Sequence, residues 1–177
     1  MTKINIRSLL IILMTLPGDY LFASQNGFSI YLPSNKNIPG YPLMVKGLKF
    51  VPLDKKPIIT TNDIVSYDGK THEMVLTSAG FAKVTKMMER NISLPFVICV
   101  GNERIYAGDI VKVICSASFS GVVIEEGTMC ALPGDKSLEK NEIFIQLGYP
   151  NEKFFVGQDP RSDSRILKAL KQAGKLK

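Results

Sequence analysis

Leu94-Pro95-Phe96-Val97-Ile98-Cys99-Val100, then Gly101-Asn102, then Glu103-Arg104-Ile105-Tyr106-Ala107-Gly108 is the stretch that decides how this chain folds. A short apolar run bounded by turn residues reads as a buried strand. Gly101-Asn102 tolerates the positive φ that a two-residue hairpin turn requires. The second limb supplies another strand, and a further apolar run carries the chain to Ser118-Phe119-Ser120-Gly121-Val122-Val123-Ile124, a third strand in need of a partner. These segments form the expected centre of a sheet. They contain no chemically distinctive group.

Upstream, Leu76-Thr77-Ser78 offers a helix start with Thr77 as cap, and the spacing predicts a helix over 78–90. Phe81, Val84 and Met88 fall on one stripe of it, with Lys83, Lys86 and Glu89 elsewhere. Before it, Asp68-Gly69 is a hairpin-type turn between strands at 64–67 and 71–76, and Thr60 to Ile64 suits one short capped helical turn. Gly27 to Leu32 alternates as a half-buried strand does. Residues 33–42 read as a loop and 44–51 as a strand weakened by Gly47. Downstream, 126–141 is polar and turn-rich. Residues 143–147 read as a strand, 153–156 as a short one, and Asp159-Pro160 as the start of a C-terminal helix. Ile166, Leu167, Leu170 and Ala173 line its apolar face. The expected fold is α+β: one small domain, a mainly antiparallel sheet, with one central and one C-terminal helix packed on it.

The 177 residues are 45% hydrophobic and 21% charged, an ordinary globular balance with a net charge of +6. The positive excess gathers at the end, in Arg161, Arg165, Lys168, Lys171, Lys175 and Lys177. The simplest reading of that helix is a solvated face, with docking on a partner or an anionic surface as the sharper alternative. No aromatic-studded basic strand suggests nucleic acid as a partner. At the other end, Lys3 and Arg7 precede Leu9 to Met14, Pro17-Gly18 breaks that run, and Ala23-Ser24 supplies small residues for cleavage. This is the layout of a signal peptide over 1–23, followed by a single domain over 24–177. The apolar run is shorter than the ~20 residues of a membrane span. The expectation is a periplasmic or secreted chain with no stable membrane insertion once mature.

Candidate chemistry is sparse. Cys99, Cys115 and Cys130 leave the disulfide pairing open, and their spacing fits no tight metal motif. His72 is the sole imidazole; a hydrogen-bonded or solvent-facing structural role is its expected one. A thiol-dependent enzyme joining one cysteine to His72 is the alternative function class. Ser116, Ser118 and Ser120 alternate along one strand face without a nucleophile elbow, and no phosphate loop or carboxylate pair occurs. Asn91-Ile92-Ser93 matches a glycosylation sequon. The mixed stretch 107–121 suggests a surface that accepts extended polypeptide by strand addition, with Tyr106, Asp109, Lys112, Ser116 and Ser118 as candidate binding residues. A plain edge strand with 122–125 as its hairpin partner is the competing reading. No catalytic residue, metal or cofactor is expected.

At Leu76-Thr77-Ser78-Ala79-Gly80-Phe81 and at 95–102 the chain resembles the head subdomain of the first periplasmic domain of the protein-export subunit SecD/SecDF. There a Leu-Thr-x-x-Gly helix start precedes an apolar strand, a tight turn and a second strand, whose counterpart here is Ile105-Tyr106-Ala107-Gly108, while Ser120-Gly121 matches a later strand. The similarity covers roughly 58–126. It implies an α+β module that touches polypeptide or a partner protein outside the cytoplasm, here standing alone and without the translocase's membrane-spanning part.

Overall fold

A computed structural model describes residues 27–112, 116–126 and 141–177. The signal-peptide expectation, Cys115, Cys130 and most of the turn-rich stretch after 126 lie outside those residues. The two long limbs quoted above form the hairpin β5 (Ser93–Val100) and β6 (Glu103–Lys112). Gly101 takes φ +57° at its tip. On one side β5 pairs antiparallel with β1 (Phe28–Tyr31), which pairs antiparallel with β2 (Ile59–Thr60). On the other side β6 meets β7 (Phe119–Glu126), and this pair is parallel, Gly108 lying opposite Val122. β8 (Glu142–Tyr149), β4 (Glu73–Leu76) and β3 (Ile64–Tyr67) follow, all antiparallel. The result is one eight-stranded, mostly antiparallel sheet in the order β2-β1-β5-β6-β7-β8-β4-β3.

Chain connectivity forces that sheet to curl. β2 and β3 are its outermost strands, yet only the 3₁₀ turn Thr61–Asp63 separates them in sequence. Laid flat, eight strands would hold their outer members about 33 Å apart. From Thr60 to Ile64 the chain reaches at most about 15 Å. The short link is fixed by a capping box: Thr60 N–H and its hydroxyl both donate to Asp63 Oδ2 at 2.9 Å, and Lys83 Nζ donates to Oδ1 at 2.7 Å.

Helix α2 (Ser78–Met88) packs on the concave core. Thr77 caps it, its hydroxyl accepting from Gly80 N–H at 3.0 Å. A β-carbon on Gly80 would lie 2.9 Å from Asp63 Cβ, so the first turn of α2 presses directly on the β2–β3 link. Val84 and Met88 are buried, Phe81 only partly, among Ile64, Met74, Leu76, Phe96, Ile98, Tyr106 and Ile110. The helix ends at Met88 instead of Arg90, where the Asn91 amide donates to Met87 O at 2.7 Å.

The C-terminal helix α3 (Ser164–Gln172) begins later than Asp159-Pro160 suggested, because Asp163 supplies the cap by accepting from Arg165 N–H. Ile166 and Leu170 face the same core, and α3 packs against β1 and β5. The tail then crosses to the far edge of the sheet. Tyr67 N–H donates to Lys175 O at 2.7 Å, and Lys177 N–H donates to Tyr67 O at 2.9 Å. The same segment thus ties both ends of the sheet together.

Two segments differ from expectation. The predicted strand at 44–51 is helix α1 (Gly40–Lys46) followed by a 3₁₀ turn at Leu48–Phe50. Pro42 sits in the first turn, where a missing N–H costs nothing, and Gly47 ends the helix at φ +90°. Residues 153–156 are likewise no strand: 153 and 154 lie in a 3₁₀ turn at Glu152–Phe154, capped by Asn151, and 155–156 follow it.

Candidate functional site

The five residues expected to form a binding surface are not brought together. β6 is a central strand with β5 and β7 on its two edges, so it offers no edge to an incoming peptide, and 122–125 pairs with it in parallel, not as a hairpin. Tyr106 is buried in the α2-side core, edge-on to Phe96 with ring centroids 6.2 Å apart. Lys112 is buried and reaches Glu89 O at 3.3 Å, where a cation complements the C-terminal end of α2. Ser116 and Ser118 are exposed. The apolar character of 107–112 marks a core strand flanked on both sides, which period-two reading does not separate from an amphipathic edge.

Asp109 is 2% exposed and lies under α1. Pro39 precedes the helix and offers no side-chain cap, and the carboxylate of Asp109 takes that place from across the sheet. Gly40 N–H donates to both of its oxygens at 3.0 Å. Burial pushes the Asp109 carboxyl up to about 6, against the opposing pull of the Gly40 hydrogen bond. The contact is this close because Gly40 carries no side chain. A β-carbon on Gly40 would fall 2.2 Å from Gly108 O. Beside it, Ala107 N–H points at Met44 Sδ, 3.0 Å away, and Leu43 packs on Val97, Cys99 and Ala107.

Seating α1 this way leaves a cleft of about 250 Å³ alongside it. Tyr41, Met44 and Val45 form one wall, and Ala107, Gly121 and Val122 the floor. The far wall is the segment from Phe155 to Pro160. Its position is set by Val156 N–H donating to Ser120 O at 2.9 Å, just after the reversal at Gly148, where a β-carbon would meet Phe155 N at 2.7 Å. Two valines at the cleft are strongly exposed, Val45 at 70% and Val156 at 54%. A wider hollow of about 570 Å³ opens near the β5–β6 turn, lined by Leu48, Lys49, Arg104 and Arg165 among others. Its arginines are already engaged: Arg104 donates to Leu48 O and Lys49 O, and Arg165 pairs with Glu103 and Asp163.

His72 sits not on a strand but at φ +58° in the turn just before β4. It is buried, and its Nδ1 lies 2.8 Å from the Tyr67 hydroxyl. Burial, then the nearby Arg161 guanidinium, lowers the imidazole below its ordinary range, while burial raises the Tyr67 phenol. A neutral ring accepting from a protonated tyrosine satisfies both. Arg161 is held in turn by Asp159 and donates to Ile145 O at 3.0 Å. Cys99 is a buried free thiol in the cluster under α1, pushed up to about 11 by burial, whereas Tyr67 belongs to the core under α2. A thiol at that value stays protonated at neutral pH.

Among the described residues no group of three or more His, Cys, Asp or Glu side chains is placed to hold a metal ion, and no helix is long and apolar enough to cross a membrane. Comparison with family models, curated proteins and solved structures finds no match for this chain.

Sequence reasoning missed Gly40, Tyr41, Val45 and Val156. The one signal for the first three was Gly40-Tyr41-Pro42, a helix start with its proline in the first turn. Nothing local marked Val156.

Proposed function

We propose that this chain is a noncatalytic binding module, working outside the cytoplasm, that receives a short apolar stretch of polypeptide or partner protein in the cleft beside α1. The observation that carries this reading is the pairing of a preformed apolar cleft with Val45 and Val156 left exposed at it. Large exposed apolar side chains gathered at a concavity mark interaction sites more often than chance surface. At about 250 Å³ the cleft is smaller than the ~300–1,000 Å³ typical of cofactor-sized ligands, so it suits one or two side chains of a peptide. The SecD/SecDF-like motifs support the same class of partner, because they imply contact with exported polypeptide. Strand addition at β6 is no part of the proposal, since both edges of that strand are occupied.

The experiment is a titration of the labelled protein with short leucine-rich and serine-rich peptides, following backbone amide shifts. Shifts clustered at 41–45, 121–122 and 155–158 with the leucine-rich peptide alone are expected, and Val156→Asp should remove them. Absence of shifts there at millimolar peptide would sink the proposal.

A further inference from the structure

We infer that the outer face of α3, with the tail that follows it and the tip of the β3–β4 turn, is a docking surface for anionic lipid headgroups. This is separate from the apolar cleft and does not depend on it. Ile166, Ala169 and Leu170 turn inward, which leaves Arg165, Lys168, Lys171 and Gln172 on the solvent side of the helix. The tail extends that face. Leu176 packs against the core from a bridge with Tyr67, so Lys175 and Lys177, one residue to either side, project the other way. The β3–β4 turn joins them: a β-carbon on Gly69 would lie 3.4 Å from Leu176 Cδ1 and 3.6 Å from Leu167 Cδ2, which sets the exposed Lys70 beside the tail. Arg165 is paired with Asp163 and Glu103. Among the described residues, none of Lys70, Lys168, Lys171, Lys175 and Lys177 has an ion-pair partner. The one acid in the turn, Asp68, is half-buried and turned to the N–H groups of Lys70 and Thr71.

Five unpaired lysines on one surface match an anionic partner, and the rest of the surface selects which kind. A nucleic acid would want stacking aromatics or a groove that tracks its backbone, but Tyr67 and His72, the rings that flank the β3–β4 turn in sequence, are buried. An acidic protein would want an apolar anchor at the centre of the contact, but the exposed residues of α3 are Ser164, Arg165, Lys168, Lys171 and Gln172. Lysine itself is a compact, hydrated point charge with no forked geometry to read a particular carboxylate. A plane of headgroups asks only for charge density, and clusters of four to eight basic residues on an amphipathic helix meet it.

The test is sedimentation of the full chain with vesicles of phosphatidylglycerol and phosphatidylcholine, against phosphatidylcholine alone. Partitioning into the anionic vesicles only, weakened at high salt, is expected, and Lys168→Gln with Lys171→Gln should lower it roughly fivefold for each lysine removed. Lys55→Gln with Lys56→Gln makes the same change of net charge on exposed lysines elsewhere and should leave partitioning as it was. Equal binding by the α3 double variant, an equal fall in the control, or binding to phosphatidylcholine alone would each overturn the inference. So would capture by polyglutamate or DNA at an ionic strength where the vesicles fail.

Discussion

Replacing Asp109 by Asn should stabilise this protein at neutral and alkaline pH and have little effect in acid. Asp109 is 2% exposed, and among the described residues its single polar partner is Gly40 N–H. Burial holds its carboxyl at about 6 where an unfolded chain would have 3.8. Because the folded pKa is the higher one, the folded state holds the proton more tightly. The contribution of this group to stability is therefore complete below pH 4 and is lost as pH rises through 6. A little over two pH units separate the two values, at about 1.4 kcal/mol each, so ionisation weakens the fold by up to about 3 kcal/mol above pH 7. Asn keeps an acceptor for Gly40 N–H but gives up the charge assistance, a loss of roughly 1 kcal/mol. A net gain of about 1–2 kcal/mol at pH 8 is expected, fading to zero or slightly below near pH 4. Urea unfolding of both proteins from pH 4 to 8 measures it. Taking the difference at each pH cancels the other titrating groups, which lie outside the contact. A difference independent of pH, or a variant weaker than the parent at pH 8, would refute the account of α1 as a helix seated on a reluctant carboxylate.

Other substitutions probe the remaining joints. Met88→Ala empties a fully buried position and should cost about 2–5 kcal/mol in urea unfolding, while Phe81→Ala, at a partly exposed position, should cost less; the reverse order would misplace the α2 stripe. Thr77→Ala removes the acceptor of Gly80 N–H and should cost about 1 kcal/mol; no change in the urea midpoint would deny that cap. Gly40→Ala drives a β-carbon to 2.2 Å from Gly108 O, so α1 should lift, and the Leu43 amide should lose its protection from hydrogen exchange. Unchanged exchange at Leu43 would mean that the close approach of the two backbones is not what seats the helix.

Much of the fold was readable because its decisive signals are local. The β5–β6 hairpin announces itself through a continuous apolar limb and Gly101-Asn102, and α2 through the Thr77 cap and its stripe. The short capped turn over 60–64 was readable for the same reason. What local pattern does not carry is which strands become neighbours. β6 and β7 pair in parallel, which no turn residue signals, and the closing of the sheet follows from a three-residue link between its outermost strands. Helix α1 was missed because seven residues carrying a glycine and a proline have weak helix propensity. Its stability comes from docking on β6, a tertiary term.

The same distinction explains why the binding surface was sought in the wrong place. Asp109 and Lys112 interrupt an apolar stretch, and an interrupted stretch reads as a surface. Each interruption instead finishes a helix on the sheet. Asp109 caps the start of α1 from below, and Lys112 meets the carbonyl end of α2. A polar group inside a central strand therefore indicates, in this chain, where a helix end lands. The cleft follows from those landings. α1 can sit low only because Gly40 and Gly121 carry no side chains, and a low α1 leaves Tyr41, Met44 and Val45 facing Phe155 and Val156 across a gap. Those residues come from segments separated by more than a hundred positions, so no window along the sequence contains the site. The glycines were visible, but their purpose depends on which backbone approaches them.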